Sequence, residues 1–132
     1  MAETFRLKII APTGVFYDGQ VERIVLRGCE GEFAVLAEHT PLTTILAVGT
    51  FNMILGDNQH KSGTLLGGLV TVTPRETIVL TDAAEWPEDI DLNRAREAKE
   101  RAEQRLKDDK FDAARAQAAL ERAIARISTK EK

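Results

Sequence analysis

Asp91, Arg94 and Arg101 stand three and seven residues apart in a stretch whose other positions are mostly small or helix-forming. On a helix these spacings bring all three to adjacent positions on one side, and Asp89 is placed to cap the first turn. Ala95, Ala98 and Ala102 lie beside them, so a second helix or a flat ring can come close to the backbone. Guanidinium groups grip phosphates bidentately. Asp91 and its neighbour Ile90 offer a polar and an apolar group to a nucleoside. The same charges also describe a solvated face, on which an Asp91 to Arg94 ion pair contributes only ~0.2–0.5 kcal/mol. The stretch alone leaves both readings open.

The element that must carry these residues is a long helix. Leu92, Ala95, Ala98, Ala102 and Leu106 recur at helical spacing from Asp89 onward, and residues 106–111 interrupt the pattern. Asp112 can cap a second helix with Ala116, Leu120, Ala123, Ile124 and Ile127 on one face. Two helices joined by a brief polar connection form an antiparallel hairpin. With equal rise per residue, positions whose numbers sum to about 220 lie level, which sets Arg94 beside Arg126 and Arg101 near Arg122. Guanidinium groups gathered in this way repel one another unless an anion or an acidic partner intervenes. The shared stripe is mostly alanine, so packing is expected to be close but weak, at ~0.8 kcal/mol per buried methylene-sized group.

Upstream the chain changes character, since every glycine and proline precedes residue 88. Phe5, Leu7 and Ile9 alternate with Arg6, Lys8 and Ile10 as in a half-buried strand, and Pro12-Thr13-Gly14 ends it. Further short strands are expected at 15–17, 21–26, 33–36, 45–48, 50–55, 63–66, 69–72 and 77–80, with Gly56-Asp57-Asn58 as a hairpin turn. Many short strands at regular spacing predict a β-sandwich or flattened barrel. Trp86-Pro87 closes the region, because proline keeps the residue before it out of the helix. The expected organisation is a sandwich over 1–85, a linker over 86–88 and a helical hairpin over 89–132.

Composition narrows the function. Residues 1–88 hold six basic and eleven acidic side chains, while 89–132 hold twelve and ten; an acid-rich sandwich and a hairpin of mixed sign disfavour nucleic acid as a partner. No apolar run reaches the roughly 20 residues of a membrane helix, and the N-terminus lacks a signal peptide's apolar block, so a cytoplasmic-side protein is expected. Cys29 is the single cysteine, which excludes an internal disulfide; it is expected to be a small buried hydrophobe. His39 and His60 are isolated and expected at turns or on the surface, and no metal site is expected. Gly63 to Gly68 is followed by no Lys-Ser or Lys-Thr, so phosphoryl transfer is not indicated. No catalytic carboxylate pair or nucleophile arrangement stands out, and the chain is not expected to be an enzyme by itself.

Three segments together resemble the ε subunit of the rotary F-type ATP synthase, in its bacillus-like, ATP-binding version. Gly31-Glu32-Phe33-Ala34-Val35-Leu36-Ala37-Glu38-His39-Thr40-Pro41-Leu42 is similar to the family's Gly-Glu-x-x-x-Leu-x-x-His-x-Pro-Leu segment. Gly67-Gly68 matches its paired glycines before a strand, and Ile90-Asp91-Leu92-Asn93-Arg94-Ala95 matches its Ile/Leu-Asp-x-x-Arg-Ala nucleotide motif. Trp86-Pro87 departs from the usual linker. The likeness covers nearly the whole chain. It implies a ten-stranded β-sandwich followed by a two-helix hairpin, bound to the γ subunit and near the membrane c-ring. It implies that the hairpin either folds over the sandwich or extends toward the catalytic α and β subunits and restrains ATP hydrolysis. ATP is the implied regulatory ligand, with magnesium allowed but not required. Carried over residue by residue, Ile90, Asp91 and Ala95 frame adenosine, Glu85 lies near the base, and Arg94, Arg101, Arg122 and Arg126 meet phosphates. The implied location is peripheral, at the cytoplasmic face of a bacterial membrane. The rival expectation is a purely structural rotor adaptor whose arginines meet only acidic side chains.

Overall fold

In the computed structural model, which describes residues 3–131, eight strands precede two helices. The strands are β1 (Phe5–Ala11), β2 (Gly14–Val21), β3 (Arg23–Gly28), β4 (Gly31–Leu36), β5 (Leu42–Gly56), β6 (Gln59–Val72), β7 (Glu76–Leu80) and β8 (Ala84–Glu85). Their order is β2-β1-β7-β6-β5-β3-β4, with β8 paired to β6. All neighbours are antiparallel except β1 and β7. Alternation along the strands turns Leu7, Ile9, Ile24, Leu26, Val70, Val72 and Val79 inward, where they pack with Phe51, Met53 and Val35 in one apolar core.

The strand count is eight where the resemblance implied ten: of the nine strands expected one by one, two pairs join into β5 and β6, each of which runs through a point expected to be a break, and the short β8 is added. In β5 the buried positions change parity, from Leu46 to Gly49, Phe51 and Met53, so the strand presents opposite faces on either side of residues 47–49. Its partner β6 bends at the same level, since Leu46 pairs with Gly68 and Val48 with Leu66. Gly67 and Gly68 have φ of +82° and +134°, and a Cβ on Gly68 would run into the Leu80 carbonyl and Thr81 Cα. The paired glycines therefore serve backbone curvature and close approach, and sit within a strand rather than before one. The two long strands turn this corner together, which lets one continuous ribbon close a sandwich.

A 3-10 turn (Pro87–Asp89) leads to α1 (Leu92–Leu106) and α2 (Ala113–Lys130). Asp91, not Asp89, caps α1, with its Oδ1 accepting from the Arg94 N–H at 3.2 Å. Asp89 is drawn into the 3-10 turn that Pro87 starts, and its own N–H donates to the Trp86 carbonyl at 3.0 Å. Asp112 caps α2 as expected, with Oδ1 2.9 Å from the Ala114 N–H. Ala95 and Ala102 of α1 and Ala116 and Ala123 of α2 are buried, whereas Leu106 is 36% and Ile124 47% exposed.

Ile124 differs from expectation because α2 has two contact faces. Ala116 and Ala123 share one; Ala125 and Thr129 share another, turned toward β5 and β6. At about 100° per residue, Ile124 falls between them. The hairpin is folded against the sandwich. Thr129 Oγ1 lies 2.7 Å from both Thr50 Oγ1 and Thr64 Oγ1, and Lys130 Nζ donates to the Pro87 carbonyl at 2.9 Å. Cys29 is exposed rather than buried, because it occupies the tight turn between β3 and β4.

Candidate functional site

Where hairpin and sandwich meet, a cavity of about 310 Å³ is lined by Glu85, Asp89, Ile90, Asp91, Arg94, Ala95, Ala98, Arg101 and Arg126. Three elements supply these groups. Glu85 ends the sandwich on β8, where its residue pairs with Thr64. Trp86 next to it is held by stacking on Phe16, with centroids 4.3 Å apart, and by Lys61 Nζ 4.4 Å over its ring. The unusual linker is thus an anchor that fixes where Glu85 stands. Ile90 is buried and Asp91 is held by its capping bond, while α2 contributes Arg126.

Arg126 Nε donates to Glu85 Oε1 at 2.6 Å, and both side chains are about seven-tenths buried. This charge-assisted bond ties α2 to the end of the sandwich across the cavity wall. Arg94 and Arg101 are exposed, and among the described residues neither has a carboxylate oxygen within 4.0 Å. The cavity therefore contains two guanidinium groups with no partner, a third already paired, and small Ala95 and Ala98 between them. Such a wall can take a phosphate chain along the arginines and a flat apolar group against Ile90 and the alanines.

Seven of the eight expected residues come together here. Arg122 does not: it lines a separate cavity of about 580 Å³ at the free end of the hairpin, with Arg105, Lys110, Phe111, Asp112, Arg115, Ala116 and Ala119. The reason is the direction of side chains, which lean toward the N-terminus of each helix. On antiparallel helices the lean displaces the two partners oppositely, so the pairs that meet carry higher numbers than backbone heights suggest. Arg96 accordingly reaches Glu131, 2.8 Å away, and Arg101 shares its cavity with Arg126 instead of Arg122.

Sequence reasoning missed the threonines and the Lys130 contact, which only the docked hairpin brings together. It also missed an apolar row. Cross-strand pairing links Ile45 to Leu69, Leu69 to Leu80, Leu80 to Ile10 and Ile10 to Val15. Ile45, Leu80 and Val15 on this row are at least half exposed. Among the described residues no group of three or more His, Cys, Asp or Glu could hold a metal ion, and no helix is long and apolar enough to cross a membrane.

A β-sandwich with a helical hairpin folded against it, an arginine-lined cavity at their junction and an exposed apolar row define a two-part, sandwich-and-hairpin protein. The family described as ATP synthase, Delta/Epsilon chain, beta-sandwich domain matches residues 4–87, and that described as ATP synthase, Delta/Epsilon chain, long alpha-helix domain matches 88–131. The sodium ion specific ATP synthase epsilon chain of Acetobacterium woodii is 72% identical over 112 residues, covering 85% of this chain and 84% of that one. The ATP synthase epsilon chain of Clostridium novyi is 44% identical over 128 residues, 96% of this chain and 98% of that one. Among solved structures, a chain of the Euglena gracilis mitochondrial ATP synthase (OSCP/F1/c-ring) superposes with a TM-score of 0.80 at 23% identity, over 97% of this chain and 79% of that one. A chain from the central stalk and c-ring of the Tetrahymena thermophila mitochondrial enzyme gives 0.64 at 11% identity, over 98% of each chain. At these identities the two superpositions concern the fold alone. The chain belongs to the family of bacterial ATP synthase epsilon chains, non-catalytic subunits of the F-type rotary enzyme.

Proposed function

We propose that the sandwich couples the γ stalk to the membrane c-ring and that the hairpin is an ATP-responsive brake on hydrolysis. The observation that carries the regulatory half is the cavity of Asp91, Arg94, Arg101 and Arg126. Its walls come from both helices and from the end of the sandwich, so a bound nucleotide touches every part that must stay together while the hairpin is folded. A ligand shifts a conformational equilibrium only by its difference in affinity for the two states. ATP here favours the folded hairpin because extension carries Arg126 away from Glu85 and the linker. Magnesium enters, in this reading, on the phosphates rather than on a protein site. The extended hairpin reaches the catalytic α and β subunits, and the chain sits peripherally at the cytoplasmic face of the membrane.

The apolar row from Ile45 to Val15 supports the coupling half, since it offers a continuous surface for a partner of the stalk. A purely structural adaptor without nucleotide sensing is the second reading, favoured by the Glu85 to Arg126 pair, which satisfies one arginine without any ligand. Calorimetric titration of the isolated chain with ATP separates the two. Saturable binding is expected, weakened by about 1.5–3 kcal/mol in Arg94→Ala through loss of a charge-assisted contact. No binding by the unaltered chain would leave the adaptor reading in possession.

A further inference from the structure

The cavity at the free end of the hairpin repeats the first one. Asp112, Arg115, Ala116, Ala119 and Arg122 follow at the spacings of Asp91, Arg94, Ala95, Ala98 and Arg101, with Phe111 where the first stretch has Ile90. Each of these residues lines its own cavity at the matching place. The capping repeats as well: Asp112 Oδ1 accepts from the Arg115 N–H at 3.3 Å, as Asp91 Oδ1 does from that of Arg94 at 3.2 Å. In each case the opposite helix adds an arginine, Arg126 to the first cavity and Arg105 to the second.

The two cavities differ in their balance of charge. Arg105, Lys110, Arg115 and Arg122 face the second, against the single carboxylate of Asp112. That carboxylate already accepts from two backbone N–H groups. Among the described residues none of the four cations has a carboxylate oxygen within 4.0 Å. Nothing corresponds to the Glu85 to Arg126 pair of the first site. Four cations against one carboxylate leave the cavity with an excess of positive charge, and an anion with several oxygens offsets that excess while matching the guanidinium forks. Arg105 lies 5.2 Å over the ring of Phe111, which is 47% exposed and gives the cavity a flat apolar wall. Ala116 and Ala119 keep the floor low.

We propose that this tip cavity is a second binding site, for an oligophosphate: a nucleoside triphosphate with its base against Phe111, or a free tripolyphosphate. The nucleoside part rests on the reading of the first cavity given above; the oligophosphate part rests on the cation cluster alone.

Backbone amide shifts of the full chain, titrated separately with ATP and with tripolyphosphate, test it. Saturable shifts are expected at residues 112–119 as well as at 91–98. Replacing the exposed Arg105 and Arg115 together by glutamine should weaken the tip response about tenfold or more, the weight of a charge-assisted contact, and leave the 91–98 response in place. Arg94→Ala should do the converse. Tip amides that respond to neither ligand overturn the proposal. So does a tip response that survives the double substitution, or one lost equally in Arg75→Gln, a change on the exposed turn between β6 and β7. If ATP moves only residues 91–98 and tripolyphosphate leaves the tip unmoved, the tip site fails and the first reading stands. If tripolyphosphate moves the tip while ATP leaves 91–98 unmoved, the tip site stands and the first reading fails.

Discussion

Thr129 Oγ1 lies 2.7 Å from Thr64 Oγ1, and the two side chains are 1% and 0% exposed. The last turn of α2 is thus bonded to the middle of β6, with Thr50 of β5 completing the contact at 2.7 Å. A hydroxyl offers one donor and two acceptor positions, so Thr129 can serve both partners at once. If the hairpin leaves, water replaces these bonds, and each contributes a net ~0.5–1.5 kcal/mol to docking. That weight suits a catch that has to release.

Thr129→Val keeps the shape and removes the hydroxyl, leaving buried Thr64 without its partner. Hairpin docking should weaken by about 1–3 kcal/mol, read as faster amide hydrogen exchange in the last two turns of α2. Thr129→Ser should retain most of the protection. Equal protection in the valine variant and the natural chain would show that the threonines do not hold the hairpin.

The apolar row makes a separate claim about attachment. Leu80 lies at its centre and is 50% exposed, so Leu80→Asp should leave the fold intact and abolish co-purification with the γ subunit. A fragment ending at Glu88 should fold and still bind γ, since all eight strands precede that point. A soluble fragment that fails to bind, although the full chain binds, would move the attachment to the hairpin.

Asp18 and Arg6 form an exposed fork on neighbouring strands of the sandwich, and its contribution depends on pH. Arg6 Nε and Nη2 each lie 3.1 Å from an oxygen of Asp18, and hydrogen bonding from this fork holds the Asp18 carboxyl below its ordinary value. A lowered folded value means stability that is present above the unfolded pKa and lost as pH falls through the folded one. The same pair raises the Arg6 pKa, a contribution lost only in strong alkali. Asp18→Asn should therefore flatten the decline of the urea midpoint below about pH 4, and an unchanged acid limb would show that the fork contributes nothing to it.

The parts of this molecule that depend on local periodicity were legible in the sequence. The alternation around Leu7 and Ile9, the helical recurrence of Ala95 and Ala102, and the Asp112 cap each follow from neighbours a few residues away. What was not legible depends on distant contacts. Gly49 and Gly67-Gly68 read as interruptions, yet β5 and β6 bend through them because each pairs with the other across the corner. Asp89 and Asp91 are equivalent as caps until Pro87 draws the first into a 3-10 turn. Of the candidate site, the residues from Ile90 to Arg101 lie on one short path and were found together. Arg122 was misplaced because spacing gives backbone height and omits the lean of long side chains. Thr129 was missed because no local pattern separates it from any exposed threonine near a helix end.

The central claim is that nucleotide at the junction cavity holds the hairpin folded. Cys29 and Ser128 line opposite sides of the groove between β-sandwich and α2, and both are exposed. Spin labels on Cys29 and on Ser128→Cys, in the assembled complex with its other cysteines replaced, report the folded state as a short dipolar distance. Raising ATP should increase the short-distance population in this chain, and Arg94→Ala should shift that response to higher ATP. A distance distribution that stays fixed across ATP concentrations that saturate the isolated chain would contradict the account.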